Sequence, residues 1–562
     1  MNIWKRAAAG LLSAVLCFGL LSGCGLEADE TTMDLSVCLG QAPATLDPIY
    51  AAKSQDMTVI SHLYENLMKI AADNSGGTIV TNGLAKSYSV EENKDGTVTY
   101  SFRLRSAKWS DGTAVTAQDF VYAWRRLANP VCKSPNAPLM SIVKGYDEVQ
   151  STGDTTYLAV EAKNNETFVV TLNSACDWFL TDVCTAPAAV PLREDVVQRL
   201  KANAIAANEL AEADGGTGTA TWYSDYTKLV TNGVYAVQSY NNDSLSLRKS
   251  STYTGSIGGP DTITFRYAGT PEDAWAMYEA ETVDFVSPLP ETRLAELAQE
   301  ETWSPRSELN TCALLFNTAS DAFNDPAVRN AFSLVLDRIA VSAAAGVENT
   351  PATGLVPYGV PDTEDADFRT VGGELISCDS EEYDANCVQA AGLMETAGYG
   401  SGSHFPGVTL LYVAEEGRQA AVSAMVQMWR DVLGVTVIPQ IVTSAELNSA
   451  LASGEYTLAV QDIRGYVNDA ESFLTPWESQ SKRNVLGYYN SAFDTLLTII
   501  GRATDESARR GCLHDAEVLL MEDCPLTPLF FTGMDYTLRD GYTGVCRDAR
   551  GFFSFATVSK LQ

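Results

Sequence analysis

Three features predict an α/β fold of more than one domain. In the C-terminal half, apolar runs of strand length alternate with amphipathic runs of helix length, the pattern of a parallel-rich sheet with helices on both faces. The N-terminal third instead carries hairpin signals and period-two alternation. The 562 residues also exceed what one hydrophobic core ordinarily organises.

In chain order, Lys5 and Arg6 precede the apolar run Ala7–Leu20, which is too short for a comfortable membrane span and built like an export signal. Leu21-Ser22-Gly23-Cys24 has the pattern of a bacterial lipobox, so residues 1–23 are expected to be removed and Cys24 to carry lipid. Residues 24–34 read as a tether. Leu35–Val37 begins a strand, and Gln41–Pro48 is extended and punctuated by proline. A helix is expected over Asp56–Met68.

Ala85–Pro130 is the most informative block. Val98, Tyr100, Phe102 and Leu104 alternate with polar residues after an Asp95-Gly96 turn. Beyond Asp111-Gly112, Thr116 and Asp119 stand in capping-box spacing before a helix with Phe120, Val121, Trp124 and Leu127 on one face, and Pro130 stops it. Glu194–Ala213 is a polar, alanine-rich helix with a Asp214-Gly215-Gly216 stop. Strands resume at Asn232-Gly233 and again at Ile263–Tyr267, and Thr270 caps a helix with Pro271 in its first turn. The second half alternates Val408–Val413, a helix ended by Gly434, Val435–Val442, a helix over Ala445–Ala452, and Tyr456–Gln461. Strands at Pro525–Phe531 and Phe552–Ala556 close the chain.

Composition excludes several functions. Without the export signal, 36 Lys and Arg face 71 Asp and Glu. Such a surface repels nucleic acid and anionic headgroups and keeps an exported protein soluble. Ten cysteines remain beyond Cys24; Cys176 and Cys184, Cys378 and Cys387, and Cys512 and Cys524 are nearest in sequence, but spacing does not choose a disulfide pairing. There is no CxxC, and His62, His404 and His514 are far apart, so no metal site and no cofactor are expected. Nucleophile elbows, Walker A loops and GxGxxG turns are missing, and the SxxK pairs Ser141–Lys144 and Ser479–Lys482 lack their partner motifs, so no enzyme is expected.

The Ala85–Pro130 block resembles the signature region of the extracytoplasmic solute-binding proteins of the peptide/nickel family, the receptors of oligopeptide and dipeptide ABC importers. Further likenesses are Leu46-Asp47-Pro48, Leu63-Tyr64-Glu65-Asn66-Leu67, Asn232-Gly233-Val234-Tyr235, Phe323 to Arg338 and Leu355-Val356-Pro357. The resemblance implies a two-lobed periplasmic-binding-protein-like fold of type II, in the large peptide-binding class, with an extra small domain inserted in the first lobe. The expected partition is 35–70, 191–305 and 525–562 for the first lobe, 71–190 for the inserted domain, and 306–524 for the second lobe. It further implies a monomer that captures peptide between its lobes and delivers it to a membrane permease and ATPase.

The resemblance also points to binding residues. Ala44 and Thr45 would offer backbone from the first lobe. In peptide-binding relatives a second-lobe loop carries an Asp that pairs with the peptide's α-ammonium. Aligning Ser472-Phe473-Leu474 with the end of that loop places Tyr466 at the anchoring position and Asp469 at a later acidic one, with Ile463 in place of a tryptophan. A tyrosine hydroxyl can hydrogen-bond an amine but cannot neutralise it. Four readings follow: Asp462 or Asp469 supplies the charge from a shifted register, the ligand lacks a free α-amine, backbone pairing dominates, or Tyr466 is a packed aromatic and the alignment is offset by several residues. Gly465, Tyr466, Asn468, Asp469, Phe473 and Trp477, with Asp462, are therefore the expected second-lobe contacts.

Overall fold

The computed structural model describes residues 32–72, 78–213, 217–255, 258–300, 303–363, 366–415, 417–503 and 505–561. The export signal, Cys24, most of the tether and the Asp214–Gly216 stop lie outside them. Among the described residues, no helix is long and apolar enough to cross a membrane.

The first lobe is built on a six-stranded sheet in the order Thr537–Leu538, Phe285–Val286, Asp34–Cys38, Thr262–Arg266, Ser244–Lys249, Tyr235–Tyr240. Asp34–Cys38 lies at its centre, parallel to both neighbours, and Val37 and Cys38 are fully buried. Helices connect parallel strands such as these because a short hairpin cannot. The inserted domain holds a four-stranded antiparallel sheet ordered Ala85–Glu92, Val98–Leu104, Thr167–Leu172, Val160–Asn164. The helix Ala117–Ala128 packs on it through Phe120, Val121, Trp124 and Leu127, all buried. Thr116 and Asp119 form the expected capping box, and Asp119 Oδ2 also accepts from Trp109 Nε1 at 3.3 Å. Among the described residues the inserted domain shares its core with the first lobe: one continuous apolar cluster runs from Leu35 and Ile263 through Phe102, Trp124 and Phe168.

The second lobe carries another six-stranded sheet, ordered Thr350–Pro351, Leu526–Gly533, Ser307–Phe316, Leu458–Arg464, Val408–Tyr412, Val437–Ile441. Its last three strands are mutually parallel and its first four antiparallel. Apolar clusters cover both faces, one around Phe323, Phe332 and Trp429, the other around Phe368, Phe473 and Leu513.

Two expectations are corrected. The helix predicted over Asp56–Met68 spans Ser54–Leu63, and Met68–Ala72 is a strand paired with Thr78–Asn82. Between them the Asn66 side chain donates to the Val183 and Ala186 carbonyls, which holds the segment extended against the inserted domain. The return to the first lobe also comes later than residue 525. Leu526–Gly533 pairs with Ser307–Phe316 in the second-lobe sheet, and only Thr537–Leu538 joins the first. The two crossing segments thus run side by side: Met534 N–H donates to the Arg306 carbonyl at 3.0 Å, and Asp535 is bound by both Arg306 and Trp303 Nε1. All ten described cysteines are free thiols.

Candidate ligand-binding cleft

The two lobes and the inserted domain meet around two adjoining cavities. One, of about 200 Å³, has Asp177, Trp178 and Thr181 of the inserted domain facing Asp362, Asp469 and Arg509 of the second lobe. The other, of about 530 Å³, reaches Ile70 and Val80 of the paired strands Met68–Ala72 and Thr78–Asn82, Arg306 at the crossing, and Arg547 of the C-terminal segment. Thr181, Pro361 and Asn468 stand in the walls of both.

The loop after the strand Leu458–Arg464 delivers the second-lobe contacts. Gly465 begins it, its N–H donating to the Leu309 carbonyl at 3.0 Å, and a Cβ there would lie 2.7 Å from Leu309 Cγ and 2.9 Å from Phe473 Cε2. No larger residue fits that approach without displacing both side chains. Tyr466 then packs on the core of the first lobe and inserted domain, with its hydroxyl near Ser141 and Thr475 and the Arg483 guanidinium 5.3 Å above its ring. Burial pushes its phenol up to about 12, with Glu471 adding to the rise, so the hydroxyl is neutral at every working pH. Val467 is fully buried in that same core although it belongs to the second lobe. Asn468 N–H donates to Asp182 Oδ1 across the cleft at 2.7 Å. Residues 466–468 therefore clasp the inserted domain.

Asp182 has a network of its own. Thr181 Oγ1 donates to its Oδ2 at 2.7 Å, and burial raises its pKa against the pull of Arg550. Arg550 binds Asp548 through both arms and also donates to the Asp182 carbonyl at 2.6 Å.

The two charges expected to replace the missing anchor are engaged elsewhere. Asp462 Oδ1 accepts from Arg418 Nη2 at 2.9 Å. Asp469 takes both arms of Arg509, at 2.8 and 3.0 Å, and Glu471 shares the same guanidinium. Burial works against the charge on Arg509, but these two carboxylates outweigh it and hold its pKa above the usual arginine range.

Of the expected contacts, Asn468 and Asp469 line the smaller cavity, and Asn468 lines both. Phe473 and Trp477 do not face the ligand space as expected: they are 0 % and 3 % exposed and fill the second-lobe core beneath the loop. Aromatics at such spacing serve the core more often than a cleft, because burying a large ring is strongly favourable. Ala44 and Thr45 also stand outside both walls; Ala44 N–H donates to Asp56 Oδ1 at 2.7 Å and Thr45 Oγ1 accepts from Asp47 N–H at 3.0 Å. Their polar groups thus stabilise the proline-punctuated turn.

Sequence reasoning missed Asp182, Asp362, Arg547 and Arg550. In a chain with 71 acidic residues no single carboxylate stands out. The one available signal was Pro361-Asp362, four residues beyond the Leu355-Val356-Pro357 likeness.

Comparison with known proteins decides the family. Residues 80–484 match the family described as bacterial extracellular solute-binding proteins, family 5. The chain belongs to that family. It is 23 % identical to the dipeptide-binding protein DppE of Bacillus subtilis over 535 residues, covering 92 % of this chain and 90 % of that one. It is 28 % identical to the periplasmic murein peptide-binding protein MppA of Escherichia coli over 499 residues, covering 87 % and 86 %. The fold matches the Haemophilus influenzae OppA crystal structure in complex with RPPGFSPFR, with a TM-score of 0.75, 23 % identity, and coverage of 95 % and 100 %. This solute-binding protein therefore has the two-lobed type II fold, and the cavities described above lie between its lobes.

Proposed function

We propose that this solute-binding protein captures short peptides between its lobes and delivers them to the permease and ATPase of an ABC importer. The observation that carries the reading is the polar character of the interlobe walls. Asn468 Oδ1 and Asp362 Oδ1 accept no hydrogen bond among the described residues, and Arg547 Nε and Nη2 donate none, although Nη2 stands 3.7 Å from Glu308 Oε1. Buried polar groups are nearly always paired, so unengaged donors and acceptors together favour a ligand that supplies both. A peptide backbone does so at every residue. The relatives named for dipeptides and murein peptides support the same class.

The protein is held at the extracytoplasmic face by lipid on Cys24, acts as a monomer, needs no cofactor and carries out no reaction. Capture is tested by thermal unfolding of the mature chain with a library of tri- to pentapeptides. Mass action raises the melting temperature as peptide exceeds its Kd. No shift with the library, beside a clear shift with another solute class, refutes the peptide reading. A second reading, an N-blocked or non-peptide solute, follows from the alignment of Ser472-Phe473-Leu474, which puts Tyr466 at the family's ammonium-anchoring position. Gene context separates import from peptide sensing, since adjacent permease and ATPase genes accompany an importer.

A further inference from the structure

The smaller cavity has four carboxylates in its wall, and three already have a guanidinium. Asp469 is held by both arms of Arg509. Glu506 lies 3.1 Å from Arg509 Nη1 and 3.4 Å from Arg510 Nε, and Asp177 lies 3.6 Å from Arg510 Nη2. Asp362 is the exception. Its side chain is 3 % exposed, and its one polar side-chain partner among the described residues is His514, whose Nε2 stands 3.4 Å from Oδ2. The His514 ring is itself fixed by stacking on Phe368 at 3.9 Å between centroids. Asp362 Oδ1 accepts nothing among the described residues.

A carboxylate withdrawn from water with one oxygen unengaged is costly unless something supplies a cation or donor. In a cavity that opens when the lobes part, that partner can come from the ligand. We propose that Asp362 receives the ligand's terminal ammonium, in place of the loop position occupied by Tyr466. The inference rests on the peptide reading above and sharpens it: the peptide carries a free N-terminus, and the anchor comes from the segment after Pro361. The loop has a different task, since its Tyr466 and Val467 side chains and its Asn468 N–H are committed to the inserted domain. Asp462 and Asp469 cannot replace the anchor while Arg418 and Arg509 hold them.

The test compares the tri- to pentapeptide library with the same library after N-acetylation, titrated into the mature protein, Asp362→Asn and Asp362→Ser. The readout is the ratio of apparent affinities for free and acetylated peptides within each protein, which a merely structural role of Asp362 would not move. A charge-assisted hydrogen bond to a buried carboxylate corresponds to a ratio of roughly 10- to 150-fold in the natural protein. The ratio is expected to fall towards one in both variants, with binding of acetylated peptide unchanged. Equal binding of free and acetylated peptides by the natural protein, or a ratio that survives both substitutions, overturns the inference and leaves the peptide reading standing. Failure of both libraries to bind the natural protein overturns the peptide reading, and the inference with it.

Discussion

Replacing Val467 by alanine weakens the hold of the second lobe on the inserted domain. Val467 sits in a loop of the second lobe, yet it is fully buried in the apolar core of the first lobe and inserted domain. Parting the lobes returns it to water. Alanine lacks two methyl groups, each worth about 0.8 kcal/mol on burial, so closure loses about 1.6 kcal/mol and its equilibrium constant falls about 15-fold. The flanking contacts, Asn468 N–H to Asp182 Oδ1 and the Tyr466 ring on the same core, remain in the variant. Energy transfer between fluorophores on the second lobe and the inserted domain reads the closed fraction directly, without ligand. Peptide affinity falls in parallel as the binding-competent fraction falls. A folded variant with an unchanged closed fraction would falsify the assignment of residues 466–468 as a clasp.

Two further perturbations test the framework around the cleft. Arg369 and Glu517 form an ion pair in which both side chains are 1 % exposed, and Glu517 Oε1 also accepts from the Leu355 and Val356 N–H groups at 2.8 Å. Arg369→Met strands that carboxylate, so urea unfolding should show a loss of about 3–5 kcal/mol, and a loss below 1 kcal/mol would contradict the pairing. His62 is buried between the Thr58 carbonyl at 2.7 Å and Phe555 N–H at 3.0 Å, an arrangement that requires the neutral ring, and burial lowers its pKa to about 4. Because the folded pKa lies below the unfolded value near 6.5, this contribution is complete above pH 6.5. It fades as pH falls, with about 3 kcal/mol lost by pH 4. Urea midpoints measured from pH 7 to 4 should fall more steeply for the natural protein than for His62→Gln, and parallel curves would remove His62 from the account.

Local signals were legible wherever the physics is local. The Thr116–Asp119 capping box, the Glu194–Ala213 helix and the alternation from Val98 to Leu104 depend on neighbours in sequence, and the structure has each of them. The helix end at Leu63 was not legible because Asn66 is held by carbonyls more than a hundred residues away. The later crossing near Met534 escaped for a similar reason: Leu526–Gly533 reads as a buried strand in either lobe, and only its pairing partner distinguishes them. The sequence points to the loop from Gly465 to Asp469, of which Asn468 and Asp469 reach a cavity wall, but not to what its side chains pair with. Whether an aspartate is a free anchor or one half of an ion pair depends on Arg418 and Arg509, which lie about 40 residues from Asp462 and Asp469. Asp362 was invisible because its distinguishing property is the lack of such a partner among the described residues.

The central claim, that the cavities between the lobes hold a short peptide, is tested most directly by native mass spectrometry of the protein purified from cells without added ligand. A spectrum in which the protein carries extra mass that fragments into short peptides with free N-termini is the predicted result. A retained solute that yields no amino-acid fragments would contradict it.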